Sequence, residues 1–333
     1  MTGKIHNLAL IGAGGMGKRW VKAIQKVEKV NLVKIIDADL SRAQALAKDF
    51  PGCIALSEWQ SSMKDKEIDV VLVVTPHKFL SETTLGALNH KKHVLTEKPG
   101  ATSSRDVLKA IKLSRKNNLC YMVGFNHRFH EAYIKAREAV NASRIGEVIF
   151  VRARYGFGGR IGYEKEWRMN KKVSGGGELI DQGVHMIELA CSFIGIPQEV
   201  KGFAQDTFWN SKVDDNAFVL LKNKKKLASI HVSLTQWKPI HNFEVYGTNG
   251  YVSIEGLGRR YGGTEKITIG KRNEDFTDSC EETIITCNPD ADNSLVLELK
   301  EFISAIEQKR IPIPSGAEAY NTLKIIEKIY KNK

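Results

Sequence analysis

A short apolar strand that leads directly into a glycine-rich turn and a helix most constrains how this chain can fold. Residues 6–11 (His-Asn-Leu-Ala-Leu-Ile) form the predicted strand, and a helical pattern extends from Lys18 to about Val27. The turn between them has the spacing Gly-x-Gly-x-x-Gly and comprises Gly12, Ala13, Gly14, Gly15, Met16 and Gly17. Such glycines permit a tight turn, close approach of a pyrophosphate and packing of the helix on the strand. The pattern predicts that residues 12–17 bind a dinucleotide.

The second predicted strand, residues 31–36, ends at an acidic residue. Asp37 lies twenty residues after Gly17, where a carboxylate can accept hydrogen bonds from the adenosine ribose. Such a carboxylate repels the additional phosphate of NADP, so the sequence favours NAD. Two alternatives stay open. Asp37 or Asp39 could instead cap the following helix, and Arg42 could accommodate the NADP phosphate.

Strands and helices alternate throughout the first 123 residues. Further apolar strands are predicted at residues 69–74, 93–95 and 120–123, and helices at about 41–49, 58–64, 80–89 and 103–117. This alternation is typical of a parallel, doubly wound α/β sheet. We therefore expect a dinucleotide-binding Rossmann domain over residues 1–123.

Polar residues follow two of these predicted strands. Thr75-Pro76-His77 follows one, and Glu97-Lys98-Pro99 follows another. Open α/β sheets bind ligands at the carboxyl ends of their strands, although polar surface loops are the ordinary alternative. The residue before a proline is restricted to extended conformations, and the peptide bond to a proline can be cis. We expect Lys98 to be held by this segment and Lys98–Pro99 to be cis.

The pattern changes after Gly124. Consecutive strands on short connections predict an α+β domain over residues 124–333 with a large, mainly antiparallel sheet. Two helices, about 294–308 and 317–331, end the chain. The predicted strands cover residues 148–155, 199–204, 215–221, 227–235, 242–246, 251–255 and 265–269.

A glycine-rich stretch, residues 174–177, precedes the second group of candidate catalytic residues. We expect it to be a flexible loop that leads into a mostly buried helix. Asp181 and His185 are spaced i, i+4 on that helix and project from one face. A carboxylate beside an imidazole raises its pKa and orients it, which suits an acid/base. The alternatives are a structural pair or a metal site, but two ligands are too few for zinc, so no metal is expected.

A loop rich in glycine, aromatic and charged residues, 157–168, precedes the same helix. Small-molecule sites commonly combine an apolar surface with a few fixed polar groups, and arginine suits a carboxylate or phosphate on a substrate. The loop could also be a surface excursion. Our candidate substrate-binding residues are Trp167 and Arg168 of this loop, together with Asn126 and Arg128 earlier in the chain.

The composition restricts the class of protein further. The formal charge of +12 is spread along the chain without a nucleic-acid-binding motif, so we expect the charge to favour solubility and anionic ligands. No apolar run is long enough to span a membrane, and a strand begins too early to leave room for a signal peptide. Five cysteines without paired spacing favour a reducing cytoplasm.

In this order and spacing, the Gly12-to-Gly17 turn, Glu97-Lys98-Pro99 and the Asp181-x-x-x-His185 pair resemble the Gfo/Idh/MocA family of sugar and polyol dehydrogenases. The resemblance covers essentially the whole chain. It implies a first domain that binds a nicotinamide dinucleotide. It also implies a second domain whose open-faced sheet covers the catalytic helix on one side and forms homodimers or homotetramers through the other.

The resemblance also implies roles for individual residues. Lys98 is expected between nicotinamide and substrate, His185 exchanges a proton with the substrate, and Asp181 completes the catalytic group. Among these residues, the substrate contacts are Lys98, Asp181 and His185. The residues implied to lie beside the cofactor, in addition to the glycine turn and Asp37, are Thr75, Pro76, His77, Glu97 and Lys98.

The expected activity is hydride transfer between NAD(H) and a secondary alcohol or ketone carbon of a sugar, polyol or nucleotide-sugar. Other reactions on the same scaffold stay open: NADPH-dependent reduction of a ketosugar, redox-neutral chemistry with a tightly held cofactor, and reduction of a biliverdin- or diol-type substrate. A different class of protein is a non-catalytic sensor of the NAD redox state. A sensor predicts that the acid/base is missing, whereas both Asp181 and His185 are present.

Overall fold

The structure is a computed structural model that describes residues 4–258, 261–276, 280–287 and 292–331. Its internal contacts divide the chain into two units. The first contains the described residues up to Asn126 together with Leu295–Tyr320, and the second contains His127–Ser294 and the described residues from Asn321 onward. The sequence-based division after residue 123 lies near the first boundary but places 295–320 in the second domain. Helical periodicity predicts that one face of this segment is buried, but it does not predict which of the two units that face packs against.

A six-stranded parallel sheet forms the centre of the first unit and confirms the predicted doubly wound fold. The order of its strands is β3-β2-β1-β4-β5-β6. The chain adds β2 and β3 on one side of β1 and then adds β4, β5 and β6 on the other side. The strands are β1 His6–Ile11, β2 Val30–Ile36, β3 Ile54–Leu56, β4 Val70–Val73, β5 His93–Glu97 and β6 Tyr121–Gly124. The helices between them are α1 Gly15–Ile24, α2 Leu40–Ala47, α3 Gln60–Met63, α4 His77–Asn89 and α5 Ser104–Lys116.

Two details of this unit differ from the sequence-based expectation. Strand β3 was not predicted, because its three residues lie at the sheet edge and are only partly buried, so they carry no clear hydrophobic pattern. Helix α4 begins at His77 rather than near Leu80, with Pro76 as the residue before its first turn. His77 therefore belongs to the start of a helix and not to a loop.

An eight-stranded sheet forms the second unit, in the order β14-β13-β12-β11-β7-β10-β9-β8. Strands β7 and β10 are parallel, and the other neighbouring pairs are antiparallel, which confirms a mainly antiparallel sheet. The strands are β7 Val148–Gly156, β8 Glu199–Gln205, β9 Asn216–Asn223, β10 Lys226–Ser233, β11 Ile240–Gly247, β12 Gly250–Glu255, β13 Lys266–Arg272 and β14 Cys280–Thr286.

The sequence did not predict β14, a largely exposed edge strand with two adjacent glutamates. The remaining helices are α6 Glu131–Asn141, α7 Lys171–Ser174, α8 Val184–Ile194, α9 Ser294–Glu307 and α10 Gly316–Lys331. Within the described ranges, none of the helices combines the length and apolar character needed to cross a membrane. The five cysteines are free thiols.

The large sheet buries one face and exposes the other. Helix α8 contacts β7 and β10 on the buried face. The strands alternate between buried and exposed residues, as a half-covered sheet requires. The exposed positions carry large apolar side chains: Ile149, Phe203, Phe218, Leu220 and Leu227.

Candidate active site

The glycine turn after β1 has room for a ligand at Gly14 and Gly15 and none at Gly12 and Gly17. Gly12 has a φ of +111°, and a Cβ there would lie 2.7 Å from the carbonyl oxygen of Val74. A Cβ on Gly17 would clash with the carbonyl oxygen of Gly12. A Cβ on Gly14, by contrast, would have no atom within 4 Å. The backbone at Gly14 is therefore open to a ligand.

Helix α1 begins directly after this open position, at Gly15, and has no acidic residue in its first turn. The first amide groups of a helix carry partial positive charge and bind phosphates. The residues present therefore fit the pyrophosphate of a dinucleotide, as the spacing predicts.

Asp37 is tied to the glycine turn. Its Oδ2 accepts a hydrogen bond of 2.7 Å from the amide of Ala13, and its Oδ1 accepts one of 2.9 Å from the amide of Asp39. Asp39, not Asp37, caps α2, because its side chain accepts from the amide of Ser41. The alternative in which Asp39 is the cap is thus confirmed, and it leaves Asp37 at the end of β2.

Arg42 is engaged by a neighbouring carboxylate. Its Nε lies 3.1 Å from Oδ2 of Asp39, an i, i+3 ion pair. The arginine that could favour NADP therefore has its charge partly compensated.

The remaining predicted groups of the first unit lie at the same edge of the sheet. Since the order of the strands is β2-β1-β4-β5, their carboxyl ends bring Asp37, the glycine turn, residues 75–77 and Lys98 into one row. The Lys98–Pro99 peptide bond is cis, as expected. The amide of Gly100 donates to the carbonyl oxygen of Glu97 at 3.0 Å and closes the turn around Lys98. Parallel sheets place ligands along this edge.

Glu97 links this turn to α1. The indole Nε1 of Trp20, a fully buried residue of α1, donates to Oε1 of Glu97 at 2.8 Å. Burial raises the pKa of Glu97, and the Trp20 hydrogen bond and the Lys98 charge oppose that rise. The helix that starts at the glycine turn thus also supports the residue before Lys98.

In the second unit, Asp181 lies in a π-helical turn, Leu179–Gly183, that continues directly into α8. The sequence predicted a regular helix here. Single π-turns inside helices are frequent at functional sites. Asp181 and His185 are both buried on this continuous segment.

The glycines before this turn pack closely and do not form the open, flexible loop expected from the sequence. A Cβ on Gly176 would clash with the hydroxyl of Tyr330, and one on Gly177 would clash with the backbone of Asp214. The carboxylate of Asp214 accepts from the amides of Gly177 at 3.1 Å and Leu179 at 2.8 Å. Glycine is needed here because the segment is buried against its neighbours.

We predict that Asp214→Ala lowers the free energy of unfolding by about 2 kcal/mol, because it leaves the buried amide of Leu179 without its acceptor and leaves the amide of Gly177 with the longer bond of 3.3 Å to the hydroxyl of Tyr330. Urea denaturation followed by circular dichroism measures this loss. Asp214→Asn is the matched control, since it keeps one oxygen acceptor and should lose less. Equal midpoints for the wild type and Asp214→Ala would refute this role.

Arg168 joins the predicted substrate loop to the segment that bears Asp181 and His185. Its Nε donates to Oδ2 of Asp181 at 3.0 Å, and its guanidinium lies 4.7 Å from the ring centroid of Trp167. Burial tends to lower the pKa of Arg168, but the charge of Asp181 and its neighbours raises it overall. Three predicted residues, Arg168, Trp167 and Asp181, thus lie together.

Arg128 has a different environment. It forms an ion pair with Glu188 of α8, and both side chains are at least nine-tenths buried. This pair compensates the charge of Arg128 inside the second unit. Asn126 begins the short 3₁₀ turn Asn126–Phe129 that leads to Arg128. Substrate contact by Asn126 and Arg128 stays a prediction.

The structure adds aromatic residues that the sequence analysis missed. The ring of His127 stacks on His185, and the ring of Tyr155 meets His127 edge-on at 5.5 Å. Tyr155 is hydrogen-bonded with Tyr261, and burial raises the pKa of Tyr155 well above its usual range. In the sequence, His127 lies between the candidate residues Asn126 and Arg128, but no local pattern in the sequence connects His127 to α8.

The fold and the glycine turn define a dinucleotide-binding protein with a second, α+β unit. The family model described as "Oxidoreductase family, NAD-binding Rossmann fold" matches residues 6–125, and the C-terminal domain model of the same family matches residues 133–253. Together the two matches cover more than two thirds of the chain, which belongs to the Gfo/Idh/MocA family.

Two relatives of the chain are dehydrogenases by name. D-glucoside 3-dehydrogenase of Escherichia coli K12 is 32% identical over 59% of this chain and 56% of its own length. The chain therefore spans little more than half of that relative. Trans-1,2-dihydrobenzene-1,2-diol dehydrogenase of Xenopus tropicalis is 28% identical over 74% of both chains.

Solved structures share the whole fold. A levoglucosan dehydrogenase in complex with NADH and levoglucosan superposes with a TM-score of 0.87 over 99% of this chain and 98% of its own, at 22% identity. A 3-ketoreductase from Actinomadura kijaniata in complex with NADP has a TM-score of 0.84 at 18% identity and covers 98% of both chains. At these identities the structures establish the fold alone.

Proposed function

We propose that the protein is an oxidoreductase that transfers a hydride between NAD(H) and a secondary alcohol or ketone carbon of a sugar, polyol or nucleotide-sugar. The observation that carries the proposal is the contact of the partly exposed Arg168 with the buried Asp181, on the segment that also bears the buried His185. The open glycine turn and Lys98 at one sheet edge, and the names of the relatives, support it.

The proposed chemistry assigns one task to each residue. Bound NAD supplies the carbon that accepts the hydride. His185 takes the proton from the substrate hydroxyl at a ring nitrogen, and in the reverse direction it returns that proton to the ketone oxygen. The ammonium of Lys98 donates a hydrogen bond to the same oxygen and stabilises its alkoxide character. Arg168 holds the carboxylate of Asp181 in place.

The substrate class is tested by incubating the protein with NAD or NADP and a panel of polyols, sugars and nucleotide-sugars, and following the absorbance of the reduced cofactor. The matching ketosugars with NADH or NADPH test the reductive direction. We expect turnover of at least one sugar or polyol with NAD. A redox sensor would bind the cofactor and turn over none of the panel.

We predict that Asp37→Ser weakens NAD binding about tenfold, a loss of about 1.4 kcal/mol. We also expect it to lower the ratio of the Kd for NADP to the Kd for NAD. The substitution removes the carboxylate that would accept from the ribose hydroxyls and repel the additional phosphate. Isothermal titration with both cofactors measures the ratio. Arg42→Ala is the control, because Arg42 already pairs with Asp39 and should not contribute to NAD binding. An unchanged ratio in Asp37→Ser would remove Asp37 from the cofactor site.

We propose a homodimer or homotetramer formed through the exposed face of the large sheet. Contiguous apolar patches of this kind mark protein–protein interfaces, and Phe218, Leu220 and Leu227 are each more than half exposed. The double substitution Phe218→Glu with Leu220→Glu should produce monomers in analytical ultracentrifugation. A monomeric wild type would refute the interface. We also place the protein in the cytoplasm, without a nucleic-acid or membrane partner.

A further inference from the structure

The proposed acid/base His185 lies flat against a second imidazole, that of His127. The ring centroids are 3.9 Å apart, and the planes differ by 20°. Both side chains are buried, with 6% of His127 and 3% of His185 exposed. His127 belongs to the 3₁₀ turn before α6, whereas His185 belongs to α8, so the contact joins two separate elements.

The ring of His127 is itself held by other aromatic rings. Tyr155 meets it edge-on at 5.5 Å and His130 at 5.7 Å, and His241 lies 6.1 Å away. Each of these three has a hydrogen-bond partner. Tyr155 pairs with Tyr261, Nδ1 of His130 lies 2.9 Å from Oε2 of Glu265, and Nε2 of His241 lies 2.8 Å from the hydroxyl of Tyr133. The side chains that surround the ring of His127 are therefore held in place by their own hydrogen bonds.

A histidine on a helix needs such a support if its ring is to have one orientation. The helix backbone restricts χ1, but rotation about χ2 of histidine has broad minima. A second planar ring stacked at 3.9 Å opposes rotation of His185 about χ2, because that rotation would tilt the His185 ring into its neighbour. The direction of a ring nitrogen decides whether it meets the hydroxyl proton of a substrate.

We propose that His127 is a positioning residue that fixes the ring plane of His185 by stacking. The proposal rests on the proposed acid/base function of His185. His127 acts through the planar face of its ring, so an aromatic side chain at this position should replace it, and an aliphatic one of similar volume should not.

The kinetic test compares His127→Phe with His127→Leu. We expect His127→Leu to lower kcat about tenfold or more with little change in KM, since small misplacements of a catalytic group cost this much. We expect His127→Phe to retain most of the wild-type kcat. His6→Leu is the control for loss of a buried histidine elsewhere, because His6 belongs to β1 of the first unit, and it should leave kcat unchanged. Equal kcat values for His127→Phe and His127→Leu would overturn the positioning role.

A spectroscopic measurement separates this proposal from the proposed function, because it needs no substrate. In protein with ¹³C-labelled histidine, the ring protons of His185 are assigned by their disappearance in His185→Gln. The ring current of a stacked neighbour shifts these protons. We expect the shifts to persist in His127→Phe and to change in His127→Leu. Unchanged shifts in His127→Leu would overturn the stacking, whether or not the protein turns over a sugar.

Discussion

Replacing His185 with alanine is expected to lower kcat by about a hundred- to ten-thousand-fold, the range that a positioned acid/base contributes. The substitution removes the group proposed to take the hydroxyl proton. NAD binding should persist, because the glycine turn and Asp37 belong to the first unit, whereas His185 belongs to the second. Steady-state kinetics with a substrate from the panel, together with calorimetric titration of NAD, measures both quantities.

Lys98→Ala should lower kcat by a similar factor, since the proposal gives Lys98 the hydrogen bond to the reacting oxygen. His90→Ala is a suitable control. His90 lies on the surface after α4 and bonds only locally, to the carbonyl oxygen of Gly86, in the contacts that the structure gives it. Unchanged turnover in both His185→Ala and Lys98→Ala would exclude the proposed proton-handling pair.

The second large effect is expected at Gly14. A Cβ there meets no atom of the protein within 4 Å, and the residue precedes α1 with a φ of −75°, which alanine adopts readily. Gly14→Ala should therefore change the free energy of unfolding by less than about 1 kcal/mol. A pyrophosphate against this backbone would meet the new methyl group. We expect the Kd for NADH to rise about tenfold or more.

Gly17→Ala is the matched comparison within the same turn. Its Cβ would clash with the carbonyl oxygen of Gly12, so the substitution should destabilise the protein by about 1–3 kcal/mol without any cofactor present. Thermal unfolding with and without NADH separates the two effects. If Gly14→Ala bound NADH as the wild type does, the cofactor would not lie against this turn.

The first unit was predictable because local patterns agree with its global fold. Strand β1 has the residues expected from its apolar run, and the glycine turn requires a strand before it and a helix after it. Asp39 could be recognised as a possible cap but not distinguished from Asp37, because both residues precede α2 and only the hydrogen bonds decide. Strand β3 is too short and too exposed to leave a pattern.

The candidate site was predictable only where its residues are neighbours in sequence. Asp181 and His185 were predicted on one helical segment from their spacing, and the structure places both on the continuous segment formed by the π-turn and α8. The contact of His127 with His185 joins residues 58 positions apart through the packing of a 3₁₀ turn against α8. Packing between distant elements leaves no signal in one sequence. The π-turn at Asp181 was missed because a run of apolar residues at helical spacing does not distinguish a π-turn from a turn of α-helix.

The central claim is direct hydride transfer from a carbon of a sugar or polyol to NAD, and isotope transfer tests it most directly. The protein is incubated with NAD and the panel substrate deuterated on its carbon atoms, and the reduced cofactor is isolated for mass spectrometry. We predict NADH heavier by one mass unit than that formed from the unlabelled substrate. Reduced cofactor without deuterium, or none with any sugar or polyol, would contradict the proposed activity.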